Sequence, residues 1–168
     1  TPSMARNAPA WPGVRRGAKV GPMNAPFKTD TLPTWRLDDL YASREDPRIE
    51  TDLTEAERGN GELARLEGRM IATRSRPAEL GGIIDRGIEL YEQAVNLMWG
   101  VGAYASLSAS TARDDPAWSK FEADLRARSA RIGAMSLFFT LEINRLEDDE
   151  LEAALKAHKP AGRWRPWL

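Results

Sequence analysis

The sequence predicts an all-α protein: an antiparallel bundle of three long helices plus one short helix, following a disordered N-terminal leader. Three observations point there. Apolar side chains recur at intervals of three and four along three extended stretches, which is the period of one helix face. A proline stands at the head of each stretch, at Asp46-Pro47, Arg76-Pro77 and Asp115-Pro116. Proline suits the first helical position, because its missing N–H is not needed there. No segment alternates apolar and polar residues at the period of a strand.

Residues 1–31 form the expected leader. Pro2, Pro9, Pro12, Pro22 and Pro26 lie among small residues with no periodic apolar face, a composition that does not build a core. Met23 opens Met23-Asn24-Ala25-Pro26, which reads as a natural start, with residues 1–22 as upstream translation or a cloning scar. A cleavable targeting segment is the rival reading, but neither an apolar secretory core nor an amphipathic organellar helix is present.

Order is expected from Leu32 onward, as one domain over 32–168. Asp46 caps the first long helix, read over residues 47–74. Ile49, Leu53, Ala56, Leu63, Leu66 and Met70 form its apolar face, and Gly59 and Gly61 suggest a kink. After Pro77, a stripe of Leu80, Ile83, Ile84, Ile88, Tyr91, Val95, Met98 and Trp99 continues through Tyr104 and Leu107. Gly100 and Gly102 inside it would allow close approach of another helix. Thr111 to Asp115 reads as a turn. Pro116 begins the third long helix, with Trp118, Phe121, Leu125, Ile132, Met135, Phe138, Phe139 and Ile143 buried. A short helix spans Glu147 to Ala157, with Leu151 and Leu155 inward, and Pro160 and Gly162 end it.

Composition excludes several chemistries. There is no cysteine, so neither a disulfide framework nor a thiolate nucleophile is possible. That fits a reducing, cytoplasmic setting. The single histidine, His158, cannot supply a zinc site that needs two imidazoles. The formal net charge is −1, but Arg6, Arg15, Arg16 and Lys19 lie in the first 22 residues, leaving 20 basic against 25 acidic side chains beyond them. A mildly acidic body is a poor match for a phosphate backbone, so no nucleic-acid partner is expected. No apolar run of about 18 residues spans a membrane.

Candidate motifs reduce to structural readings. No G-x-S-x-G elbow or phosphate-cradling glycine loop occurs. Gly100-Val101-Gly102 lacks the third glycine and preceding strand of a dinucleotide fingerprint. Asp148, Asp149 and Glu150 could be metal ligands, but they open a short helix, where negative charge complements the dipole. Asp114-Asp115 before Pro116 is read the same way. His158, between Lys156 and Lys159, sits at a helix C-terminus, where cations are favoured. Arg163, Trp164, Arg165 and Trp167 could form a small aromatic and basic nucleic-acid surface. The alternative is that these tryptophans pack on structure beyond Leu168. No catalytic, cofactor-binding or metal-binding residue is assigned within the chain.

Four stretches together resemble the N-terminal region of the oligoendopeptidase F family, zinc peptidases related more distantly to thimet oligopeptidase. The first runs Leu32-Pro33-Thr34-Trp35-Arg36-Leu37-Asp38-Asp39-Leu40-Tyr41 and continues through Asp46-Pro47. The second is Gly102-Ala103-Tyr104-Ala105-Ser106-Leu107, followed by a polar turn and Asp115-Pro116. The third is Leu137-Phe138-Phe139-Thr140-Leu141-Glu142-Ile143-Asn144-Arg145-Leu146, and the fourth is Arg163-Trp164-Arg165-Pro166-Trp167-Leu168. Their order and separation, across 32–168, make the likeness specific.

The resemblance implies a larger cytoplasmic enzyme that hydrolyses short peptides. In that family a zinc-bound water attacks the scissile carbonyl and a glutamate takes its proton. The zinc-binding His-Glu-x-x-His lies downstream of this region and does not occur here. The chain is thus expected to be a helical wall of the substrate channel, truncated before the catalytic domain and inactive alone. Its implied partners are that downstream domain and, in the parent enzyme, oligopeptides. Zinc belongs to the parent. Two other readings are a free-standing helical interaction module derived from the family, and a weak nucleic-acid binder using the basic leader and the C-terminal arginines.

Overall fold

The computed structural model describes residues 36–112 and 114–168. The expected leader over 1–31, the start at Met23, and the Leu32 to Trp35 opening of the first motif lie outside the described residues. All regular elements among the described residues are helical. A 3-10 turn at Leu37–Asp39 leads to α1 (Pro47–Ala64), α2 (Arg69–Thr73), α3 (Pro77–Thr111), α4 (Pro116–Ala134), α5 (Leu137–Ile143) and α6 (Asp148–Ala157). A second 3-10 turn follows at Lys159–Trp164. Among the described residues no helix is long and apolar enough to cross a membrane.

Two of the expected helices are each divided. The first does not kink at Gly59 or Gly61. Gly59 is buried facing α3, Gly61 has open space beside it, and α1 runs through both. The interruption comes at residues 65–68. Gly68 takes φ 77°, a left-handed conformation that costs glycine little and other residues more. The Glu142 side chain of α5 accepts the Gly68 N–H there. The third expected helix breaks at Met135 and Ser136, where the Ser136 hydroxyl bonds back to the Gly133 carbonyl at 2.9 Å. Phe139 then points into the core, fully buried.

α3 organises the rest. Its 35 residues make a rod roughly 50 Å long at the usual rise. α1, α2, α4, α6 and both 3-10 turns pack directly on it. The core-facing seam runs Leu80, Ile84, Gly87, Tyr91, Ala94, Met98, Val101, Ala105, Ser108, at alternating steps of four and three, with Tyr91 and Met98 half-buried and the others buried. In its second half that seam departs from the expected stripe. Val95, Trp99 and Leu107 stand 37%, 73% and 43% exposed. Ala94, Ala105 and Ser108 are buried instead.

Close helix approach also occurs elsewhere than expected. A Cβ on Gly102 would meet nothing within 4 Å, and one on Gly100 would meet only the Tyr41 hydroxyl at 3.6 Å. A Cβ on Gly81 would fall 2.6 Å from the Ala154 carbonyl oxygen of α6 and against the Cβ of His158. One on Gly87 would strike the Phe139 ring. That ring cannot swing aside, because Tyr91 and Trp167 pack against it at centroid distances of 5.9 and 6.2 Å.

Three apolar clusters follow the rod. One joins Leu63, Met70, Leu80, Ile84, Ile88, Phe139 and Ala154, with Trp164, Trp167 and Leu168 packed on it. A small one joins Ala56, Ala94 and Ile132. The third joins Tyr41, Ile49, Leu53, Val101, Tyr104 and Leu125.

Substituting Gly81→Ala or Gly87→Ala is expected to lower unfolding stability by about 1–3 kcal/mol through overpacking. Gly102→Ala, in open space, is expected to raise it by up to about 1 kcal/mol through helix propensity. Urea unfolding monitored by circular dichroism reads both. A destabilising Gly102→Ala beside a neutral Gly87→Ala would contradict the packing.

Candidate functional site

The side chains singled out in the sequence fall into separate places. Among the described residues no three His, Cys, Asp or Glu side chains converge as metal ligands do. Asp148, Asp149 and Glu150 open α6, and Glu150 forms a reciprocal capping box with Glu147. Glu150 also takes a two-pronged bond from Arg74, at 2.8 and 2.9 Å. Asp115 caps α4 by accepting the Ala117 N–H at 2.9 Å. Gly100 and Gly102 lie within α3.

The C-terminal tryptophans are half-buried against this chain's own core. Trp164, Trp167 and Leu168 rest on the cluster around Phe139. The arginines among them are paired. Arg165 bonds Glu152, and Arg163 reaches Glu89 and Asp85. The guanidinium of Arg163 also lies 4.7 Å from the Trp164 ring centroid.

Asp85 is the centre of this region, and sequence reasoning missed it. Its side chain, only 15% exposed, accepts the Trp164 indole N–H at 2.7 Å and an Arg163 N–H at 3.0 Å. His158 Nε2 lies 3.5 Å from its other oxygen. The available signal was an acid on α3 between Ile84 and Ile88, inside an otherwise apolar stripe. Such a group needs donors once buried.

A concavity of about 340 Å³ lies between the first turns of α1 and the middle of α4. Its apolar floor is Ile49 and Leu53 from α1, with Phe121 and Leu125 from α4. Arg44 and Arg128 stand on the rim. Arg44 bonds Glu45 at 2.7 Å and Asp115 at 3.2 Å. Arg128 bonds Glu50 at 2.6 Å and lies 3.5 Å from Glu57. These hydrogen bonds hold the Glu45 and Glu50 carboxyls below their ordinary range. Elsewhere, an uncharged surface is lined by Val95, Met98, Trp99, Gly102, Ala103 and Ser129. The chain matches no protein-family model, no curated protein and no solved structure.

Asp46, beside the concavity, is the most strongly engaged carboxylate. Bonds from the Arg48 side chain, then from the backbone N–H groups of Ala42 and Arg48, hold it far below the usual carboxylate value. A depressed folded-state pKa adds stability that is complete above the unfolded value of about 3.9 and is lost as pH falls through the folded one. The stability gap between the wild type and Asp46→Asn should be flat near neutrality and shrink in strong acid. Urea midpoints across pH measure this, and a gap unchanged in strong acid would exclude the charge.

For Asp85→Ala, loss of a largely enclosed charged acceptor should cost about 1.5–3 kcal/mol. The same experiment on the exposed Glu152→Ala should show little change. Equal effects from the two would remove Asp85 from its central place.

Proposed function

We propose that the chain is the N-terminal helical domain of a cytoplasmic zinc oligopeptidase of the oligoendopeptidase F type, forming one wall of the channel that admits short peptides. In this reading its helices are arranged as an antiparallel bundle around α3. The four ordered stretches of resemblance carry the proposal.

Their placement supports it. Where described, the four stretches meet in two pairs. Tyr41 of the first packs edge-on to Tyr104 of the second, with ring centroids 5.3 Å apart. Phe139 of the third meets Trp167 of the fourth. Residues that carry the likeness are thus residues on which the packing depends.

The chain's own donors do not fit a zinc ion. Its one histidine faces Asp85, and no further ligand joins them among the described residues. The proposal therefore assigns the metal, and the proton transfers that accompany it, to a downstream domain. This chain contributes enclosure and a surface for that domain. Trp99, Leu137 and Leu141, exposed at 73%, 64% and 58%, are apolar groups that such a partner would cover. The same side chains favour the second reading, a free-standing helical interaction module.

A quenched fluorescent peptide distinguishes the readings when it is offered to this chain and to the longer polypeptide encoded by the intact gene. The expected result is no turnover by these residues, with or without zinc, and chelator-sensitive turnover by the longer protein. Turnover by the 168-residue chain that a chelator abolishes would overturn the proposal. A stop codon directly after Leu168 would favour the module.

A further inference from the structure

We infer that His158 and Asp85 form a proton-operated latch, which fastens α6 and the C-terminal 3-10 turn to α3 more tightly in mild acid than at higher pH. Imidazole is the side chain that ordinarily changes charge between about pH 5 and 8, and His158 is the one histidine of the sequence. It is the C-cap residue of α6, where its backbone N–H bonds the Ala154 carbonyl. Its Cβ fills the space beside Gly81 of α3. The ring therefore stands where the end of α6 meets the face of α3.

The two oxygens of Asp85 are used unequally. Oδ1 accepts the Trp164 indole N–H at 2.7 Å and an Arg163 N–H at 3.0 Å. Oδ2 accepts no hydrogen bond among the described residues, and His158 Nε2 faces it at 3.5 Å. At that distance a neutral ring makes a marginal contact, whereas an imidazolium makes an ion pair with a charge-assisted bond. The Asp85 side chain is 15% exposed and that of His158 33%, so solvent screens the pair only in part.

The neighbouring charges leave this oxygen to the histidine. From the 3-10 turn, Arg163 is divided between Asp85 and Glu89. On α3, Glu89 is also paired with Arg86, and on α6, Glu152 is paired with Arg165. Lys156 and Lys159 flank His158 in the sequence and oppose a further positive charge. The C-terminal end of α6 works the other way, because its carbonyls favour a cation. Protonation supplies a charged donor to the one Asp85 oxygen that has none. The added stability therefore belongs to the charged ring: it is present in mild acid and lost as the proton leaves. The latch is independent of the peptidase proposal.

A double-mutant cycle with His158→Gln and Asp85→Asn isolates the pair. Both replacements keep a polar side chain and remove its titratable charge. Urea unfolding of the four proteins is followed at about pH 8 and about pH 5.5, on either side of the imidazole range. The coupling between the two positions is expected to favour the folded state by about two- to fivefold more at the lower pH. A second readout needs no unfolding. The Trp164 indole N–H resonance, whose acceptor is the same carboxylate, should move between the two pH values in the wild type and hold its position in His158→Gln. Coupling that is equal at both pH values, coupling that is stronger at the higher one, or an indole resonance that moves as far in His158→Gln as in the wild type would each overturn the inference.

Discussion

The close contact of α6 with α3 at Gly81, together with the seating of the α5 ring Phe139 at Gly87, is the constraint on which the rest of the structure depends. Packed helices ordinarily lie 8–10 Å apart, at a separation set by the side chains between them. At Gly81 no side chain intervenes, and the carbonyl of Ala154 occupies the space a methyl group would need. At Gly87 the vacancy is filled by the ring of Phe139. Asp85, four residues from Gly81 on the same helix, then comes within reach of Trp164, Arg163 and His158. The C-terminal turn is thereby fastened to α3 by polar bonds, while Trp167 packs on Phe139 and Tyr91. A larger residue at either glycine would push out the group that the next contact needs.

The far end of α3 is organised differently. There the packing is aromatic and aliphatic, through Tyr41, Tyr104, Trp118 and Phe121. α1 and α4 meet only lightly, and their separation leaves the concavity. Arg44 and Arg128 on its rim are paired with Glu45, Asp115, Glu50 and Glu57, so the acids beside each guanidinium set the local charge. Tyr41 illustrates the cost of enclosure at this end. Burial, with a hydrogen bond to Asp52, raises its phenol well above the ordinary value.

Much of the helical framework was legible because its signals are local. Asp46-Pro47 and Asp115-Pro116 place a capping carboxylate immediately before a proline, and both begin helices where expected. The end of α3 at Thr111, shortly before Asp115 caps α4, is similarly local. The two divided helices were harder to read. Gly68 lies between Leu66 and Met70, whose spacing continues the helical period across the turn, so periodicity alone conceals the break. Ser136 terminates α4 with no proline beside it. The second half of α3 misled for another reason: hydropathy weights Trp99 and Val95 above Ala94 and Ala105, whereas the partner helix selects the residues that leave room for it.

From the sequence by itself come the helical class, the cap positions, the want of cysteine, and a histidine count too low for a two-imidazole zinc site. These depend on residue identity and on neighbours within a turn or two of chain. The tertiary structure decided which glycines admit another helix, that Trp164 finds Asp85, and that Arg44 and Arg128 border one apolar floor. Those pairings join residues more than fifty positions apart. Chain separation carries no record of them, because each partner is chosen by the distance and direction at which the packed helices present it.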